Sequence, residues 1–311
     1  MTEDWENGGF GIYIHWPFCT AKCPYCDFNS HVRSNINQKQ WLKAYLNEIK
    51  RVSEKTSNRI LNSVFFGGGT PSLIEPSIIG DVLNEIQKHW KTKNNFEVTL
   101  EANPGSVDAK NFKAYKEAGV NRTSMGIQSL NTKDLKALGR THTVEEALAA
   151  FEIARQNFKA VSFDLIYARQ NQSISQWEKE LSLALSLEAS HMSLYQLTIE
   201  QGTAFGDRYN RGLLKGLPND DTSADMYDLT LSLCEDRGLV SYEVSNYAHQ
   251  GYESIHNLIY WRYGDYIGIG PGAHGRLTID GKKYATETVL SPEAWLKKVE
   301  CDGSGESNSV V

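Results

Sequence analysis

Between residues 11 and 197 short apolar runs alternate with stretches of helical periodicity, and this alternation limits the possible folds more than any other feature of the chain. The runs fall at 11–16, 63–66, 96–100, 122–127, 160–166 and 191–197. Each is too short for a helix and reads as a buried strand. In 38–52, Trp41, Leu42, Tyr45, Leu46, Ile49 and Val52 form one helical face. Segments 78–90 and 109–118 are also helical, the latter closing on Gly119. Thr143-Val-Glu-Glu146 is a capping box for a helix to about 156, and Ser175-Gln-Trp-Glu178 caps another to 187. Buried strands separated by helices pair in parallel through βαβ crossovers. Six such units predict an α/β fold whose functional residues lie at the strands' C-terminal ends.

The first strand delivers Cys19-Thr-Ala-Lys-Cys23-Pro-Tyr-Cys26, which holds three of the chain's five cysteines. Thiolates are soft ligands for zinc or iron–sulfur clusters. Structural zinc usually draws on two separated cysteine pairs, and here Cys234 and Cys301 stand alone. Three thiolates on one loop suit a 4Fe–4S cubane with one iron left open. Cys234, inside a helical run, reads as a small buried apolar residue.

Other polar residues stand out by position. Gly67-Gly68-Gly69-Thr70-Pro71 follows a strand, and glycines let a backbone approach a ligand closely. Glu101 ends the next strand, where a carboxylate can accept hydrogen bonds or cap a helix. Asp164 lies inside an apolar strand, which is unusual unless it faces a cavity.

After residue 198 the pattern changes. Segment 202–219 reads as loop, 222–237 as a helix capped from Thr222, and 242–247 as a short strand. A glycine-rich run, Gly268-Ile-Gly-Pro-Gly-Ala-His-Gly275, follows, and Ser291-Pro292 opens a last helix. The expected organisation is a core over 10–200, a smaller α+β extension over 201–300, and a disordered polar tail over 302–311. A formal net charge of −6 argues against a nucleic-acid partner. No apolar run reaches eighteen residues, so no membrane span is expected, while peripheral contact with a membrane stays open. The acidic N-terminus lacks the features of a signal peptide, and unpaired cysteines suit the cytoplasm.

The cysteine spacing, with Tyr13-x-His15-x-Pro17-Phe18 before it, resembles the radical S-adenosylmethionine (SAM) superfamily, in its HemN/HemW-like group. The resemblance spans about residues 10 to 300 and implies a partial (β/α)6 barrel with a 4Fe–4S cluster on Cys19, Cys23 and Cys26 at its mouth. It implies that SAM chelates the open iron and can be cleaved to a deoxyadenosyl radical. It assigns SAM contacts to Tyr13, Tyr25, Gly68, Gly69, Thr70, Glu101, Gln128, Arg140 and Asp164. Glu101 would meet the ribose hydroxyls and Arg140 the carboxylate of SAM.

Two features separate branches of the group. The oxygen-independent coproporphyrinogen III oxidases carry a cysteine two residues after the third cluster cysteine, whereas the HemW branch carries phenylalanine, and this chain has Phe28. The HemW mark H-N-x-x-Y-W is present as His256-Asn257-Leu258-Ile259-Tyr260-Trp261. Read alone, this is a hydrogen-bonded histidine before an aromatic strand. The resemblance makes His256, Asn257, Tyr260 and Trp261 a haem site and the protein a haem chaperone serving respiratory proteins within porphyrin metabolism. An oxidative decarboxylase of coproporphyrinogen III is the alternative, and an iron–sulfur protein that does not use SAM is a third reading. Two departures stand out. Members of the group read Gly-Leu-Pro-Gly-Gln-Thr after Asp-Leu-Ile-Tyr, whereas this chain has Ala168-Arg-Gln-Asn-Gln-Ser173. They also continue well beyond the position of Trp295, so the extension is expected to be truncated.

Overall fold

The computed structural model describes residues 4–104 and 109–311, so the first three residues of the acidic N-terminal stretch lie outside it. A short helix, α1 (Asp4–Gly8), precedes the strands. The six apolar runs form β1 (Phe10–Trp16), β2 (Ile60–Gly68), β3 (Lys91–Ala102), β4 (Arg122–Gln128), β5 (Ala160–Tyr167) and β6 (His191–Gln196). They pair in parallel in chain order. Helices α2 (Gln38–Ser53), α3 (Pro76–His89), α4 (Ala109–Ala118), α5 (Thr132–Ala137), α6 (Val144–Asn157) and α7 (Ile174–Leu185) fill the crossovers. The capping box at Thr143 forms as the sequence suggests. The one on α7 uses Ser173 and Gln176, two residues earlier than Ser175 and Glu178.

After β6 come α8 (Ala204–Asn210), α9 (Asp220–Glu235), β7 (Val240–Ser241), β8 (Asn246–Ala248), α10 (Ile255–Trp261), β9 (Asp265–Ile269), β10 (His274–Ile279), β11 (Lys282–Thr288), α11 (Pro292–Asp302) and β12 (Glu306–Val310). One twelve-stranded sheet results, ordered β12-β11-β10-β9-β1-β2-β3-β4-β5-β6-β8-β7. This is the expected α/β fold, a partial barrel of six parallel strands with the extension joined to its two edges. β1 is buried along almost its whole length because β2 and β9 flank it.

Several local expectations change. Segment 202–219 contains α8, capped by the Thr203 hydroxyl on Gly206 N. Asn219, not Thr222, caps α9. Of the strand expected over 242–247 only Asn246 and Tyr247 are extended, in β8, and 242–245 form the bend that joins it to β7. The glycine-rich run begins in a seventh parallel strand, β9, whose Gly268 allows close approach: a Cβ there would lie 2.1 Å from the His274 carbonyl oxygen. His256 opens a helix rather than preceding a strand.

The tail expected to be disordered over 302–311 instead ends α11 and then forms β12, antiparallel to β11. Backbone pairing, not apolar burial, holds it, since β12 is an edge strand exposed at four of its five positions. Gly305 lets the chain cross Trp295, whose Nε1 lies 2.0 Å from where a Cβ would sit, and Gly305 N donates to Glu48 at 3.2 Å.

The turn at 168–173 keeps a glycine-like path without glycine. Ala168 and Asn171 have φ of 56° and 57°. Both cysteine-loop and turn segments therefore leave the strands' C-terminal ends, and the candidate site lies there.

Candidate functional site

A cleft opens at the C-terminal ends of β1 to β5. Its lining includes Cys19, Cys23, Cys26, Tyr25, Gly68, Gly69, Thr70, Glu101, Gln128, Arg140 and Asp164. Parallel strands place these residues together although they are up to 145 positions apart in the chain. Tyr13 is the exception among the expected SAM contacts. Its ring packs beneath Gly67, and its hydroxyl pairs with His15 Nδ1 at 2.9 Å.

The cysteine loop is fixed from three directions. His15 Nε2 meets the Asn29 carbonyl at 2.9 Å. The Asn29 side chain donates to the carbonyls of Pro271 and Leu290, both at 2.9 Å, tying the loop to the extension. Gly69 and Thr70 donate their N–H groups to Trp16 and Phe18 at 2.7 and 2.9 Å. A Cβ on Gly69 would stand 2.6 Å from the Phe18 carbonyl oxygen, so the glycine seats the cysteine loop as well as lining the cleft.

Burial pushes the thiols of Cys19 and Cys26 up, with the Thr70 hydroxyl opposing this at Cys19. Metal ligation needs thiolates, so it would drive proton release there. Among the described residues no three His, Cys, Asp or Glu side chains converge as they would around one metal ion. Thiols spaced along a loop fit the corners of a cluster, each holding its own iron.

Arg140 lies at the centre of the arrangement. Its Nη1 donates to Cys23 Sγ at 3.1 Å and its Nη2 to the Gly126 carbonyl at 2.9 Å. Its Nε is buried and has no partner. An orphaned buried donor needs an acceptor, and a ligand carboxylate in the cleft would supply one.

Glu101, in the same lining, accepts from Gly68 N at 3.0 Å. Burial, reinforced by the Asp164 charge, pushes its carboxyl up to about 8. Asp164 is itself raised to about 6 by burial, and Ser124 Oγ donates to it at 3.2 Å. Two carboxyls and a guanidinium in one semi-enclosed cleft are the signature of a ligand site. Gln128 holds a left-handed backbone with φ of 72°, a strained conformation that concentrates at such sites. Thus the donors, acceptors and thiols fit a cluster together with an amino-acid-bearing nucleoside.

Ser124 was not singled out from sequence. Period-two alternation in β4 would have found it, since Ser124, Gly126 and Gln128 share the half-buried face. Phe28 sits at the rim, 57% exposed.

The H-N-x-x-Y-W residues lie elsewhere. Helix α10 closes the N-terminal ends of β1 and β2, roughly 16 Å along β1 from the cysteine loop at about 3.3 Å per residue. The Glu97 carboxylate in β3 anchors it, accepting from the N–H groups of Ile255 and His256 at 3.1 Å. His256 is 1% exposed. Its Nδ1 pairs with Ser63 Oγ at 2.8 Å and its Nε2 with the Tyr260 hydroxyl at 2.7 Å. Burial lowers the imidazole to about 3, so it is neutral. Asn257 Nδ2 donates to the Tyr242 hydroxyl at 3.2 Å. Trp261 is 58% exposed, while Tyr260, 39% exposed, packs its ring against His256 and Tyr266 at 5.0 and 4.4 Å between centroids.

The family model described as the Radical SAM superfamily matches residues 13–184. The chain is 43% identical over 273 residues to the Heme chaperone HemW of Haemophilus influenzae, covering 86% of this chain and 70% of that protein. It is 39% identical over 289 residues to the Heme chaperone HemW of Escherichia coli, covering 92% and 75%. To Radical S-adenosyl methionine domain-containing protein 1, mitochondrial, of Danio rerio, it is 40% identical over 305 residues, covering 96% and 68%. Among solved structures, coproporphyrinogen III oxidase (HemN) from Escherichia coli shares the fold, with a TM-score of 0.82 at 20% identity, covering 97% of this chain and 71% of that one.

Proposed function

The chain belongs to the radical SAM superfamily, in its HemN/HemW-like group, and from that premise we propose that it is a haem chaperone that holds a 4Fe–4S cluster and SAM in the strand-end cleft, binds haem as cargo and passes it to respiratory proteins. The observation that carries this reading is the pairing of an intact cysteine, carboxylate and guanidinium cleft with Phe28 at its rim. We place the protein in the cytoplasm, where reducing conditions suit its five free cysteines. No helix among the described residues is long and apolar enough to cross a membrane.

Cys19, Cys23 and Cys26 would hold the cluster. When bound, the cluster and SAM supply one-electron chemistry that no side chain can. Arg140 offers its unpartnered Nε to the SAM carboxylate while Cys23 and Gly126 fix its other nitrogens. Glu101 offers its carboxyl to the ribose. Tyr25, packed on Phe205 at 6.4 Å between ring centroids, forms part of the cleft wall.

Haem is cargo, and α10 presents Tyr260 and Trp261 as apolar surface for its macrocycle. A neutral imidazole is the haem-ligating form of histidine. For His256 to serve, the Tyr260 hydroxyl must leave its Nε2. Tyr260→Phe should therefore tighten haem binding by roughly three- to tenfold, the worth of one hydrogen bond. His256→Phe keeps a ring stacked on Phe65, 5.1 Å away, but removes both nitrogens. Haem titration of the anaerobically reconstituted wild type and both variants, followed by absorption, is the test. Unchanged haem binding in His256→Phe refutes ligation by His256.

The second reading is oxidative decarboxylation of coproporphyrinogen III, suggested by the oxidase named among the solved structures that share the fold. Formation of protoporphyrinogen IX by the wild type with dithionite and SAM would decide for it.

A further inference from the structure

Arg169 has no part in the site described above, yet it is 4% exposed and both its terminal nitrogens are hydrogen-bonded, while its buried Nε has no partner. It sits in the turn after β5 where the group's pattern has an apolar residue. Its Nη1 donates to the Ile166 carbonyl at 2.5 Å. Its Nη2 pairs with the Glu180 carboxylate of α7 and with Asp134 Oδ2 of α5, the latter at 2.9 Å. Burying a guanidinium is costly unless such partners are well placed.

The partners lead to the cleft. Glu180 Oε1 also accepts from Ser129 Oγ at 2.6 Å and Leu130 N at 2.7 Å. Those two residues directly follow Gln128, whose φ of 72° must be held by its surroundings. Asp134 lies in α5, and Asn131 caps that helix. The helix ends in Gly139 and Arg140, and Arg140 N is bonded to the Leu135 carbonyl at 2.8 Å. Gly139, with φ of 69°, lies against Pro24 of the cysteine loop, where a Cβ would come within 2.6 Å of Pro24 Cδ. One guanidinium thus ties the turn after β5, helix α7 and helix α5 into the frame that aims Gln128 and Arg140.

We propose that Arg169 is a positioning residue for SAM, acting through Glu180 and Asp134 to hold Gln128 and Arg140 at the cleft. The proposal rests on the reading that the cleft takes SAM. Arg169 reaches neither ligand nor cluster; its influence is on where the Arg140 guanidinium stands. Outer contacts of this kind typically change affinity by about ten- to a hundredfold when lost.

The test compares wild type, Arg169→Leu and the double variant Arg169→Leu/Glu180→Gln, each with its cluster reconstituted. Three readouts are taken: melting temperature, iron and sulfide content, and SAM affinity by equilibrium dialysis. Arg169→Leu strands Glu180 and Asp134 and should lower the melting temperature and raise the SAM Kd about tenfold. The double variant removes the stranded charge on Glu180 but keeps an amide oxygen for Ser129 and Leu130. It should regain most of the stability while its SAM Kd stays raised, because the tie to Asp134 is still missing. Cluster content should stay at the wild-type level in whichever variants fold. If Arg169→Leu does not fold, the double variant carries the test alone. A SAM Kd equal to wild type in the folded double variant overturns the proposal. Wild type that binds no SAM would instead overturn the reading of the cleft itself.

Discussion

Replacing Glu101 by glutamine should make the protein more stable and a poorer SAM binder, and the stability gain should depend on pH. Burial and the neighbouring Asp164 lift the Glu101 carboxyl from 4.5 to about 8 in the folded protein. The sign follows from proton linkage. Below pH 4.5 the carboxyl is protonated in both folded and unfolded chains, and it contributes nothing. Between 4.5 and about 8 the unfolded chain releases the proton and the folded one keeps it, so stability falls as pH rises. Above about 8 both are ionised and the loss is complete. At about 1.4 kcal/mol per pH unit, that interval sets a ceiling of about 5 kcal/mol. Glu101 is half-buried in an open cleft, and water reaching it reduces the expected effect to about 2–3 kcal/mol. Glutamine is isosteric, never ionises and can still accept from Gly68 N. Urea unfolding of wild type and Glu101→Gln at pH 5, 7 and 9 measures the difference directly. The account requires a small gain at pH 5 that grows to about 2–3 kcal/mol at pH 9. A difference that does not change with pH, or a variant less stable at pH 9, would refute the reasoning.

Cys19→Ser, Cys23→Ser and Cys26→Ser should each lose the brown chromophore after reconstitution, while Cys234→Ser, whose side chain is fully buried and outside the cleft, should keep it at a stability cost of about 1–3 kcal/mol. Gly69→Ala should lower cluster content with all three thiols intact and destabilise the fold by about 1–3 kcal/mol, because the added methyl meets the Phe18 carbonyl at 2.6 Å; iron and sulfide analysis checks the first and thermal unfolding the second. Arg140→Ala should weaken SAM binding several-fold in equilibrium dialysis, since no other side chain offers the cleft the orphaned Nε donor.

The parallel strands were legible because burial on both faces writes them as largely apolar runs, as in β1 and β5. β9 was not, because Asp265 and Gly268, which serves close backbone approach, break its five-residue apolar signal. β12 was not, because an edge strand held by backbone pairing carries no burial pattern. Helix caps slipped by two or three residues where several Ser, Thr and Asn compete, as before α7 and α9. At the cleft, residues ending strands were legible by position, and Asp164 by its polarity within an apolar run. Tyr13 was placed in the cleft by resemblance, yet its ring packs beneath Gly67, which no local pattern reveals. Nor does sequence show that both nitrogens of His256 are engaged, since Ser63 lies 193 positions away. Arg169 was hidden for the same reason: its carboxylate partners come from two other helices.

The account's central claim is that one cleft holds the cluster and SAM together, with Cys19, Cys23, Cys26, Glu101, Gln128 and Arg140 all in its lining. Electron paramagnetic resonance of the dithionite-reduced, reconstituted protein, recorded with and without SAM, tests it most directly. The predicted result is a reduced 4Fe–4S signal whose g-values shift on adding SAM in the wild type and shift less in Arg140→Ala at the same SAM concentration. A cluster signal that SAM leaves unchanged in the wild type would contradict the claim.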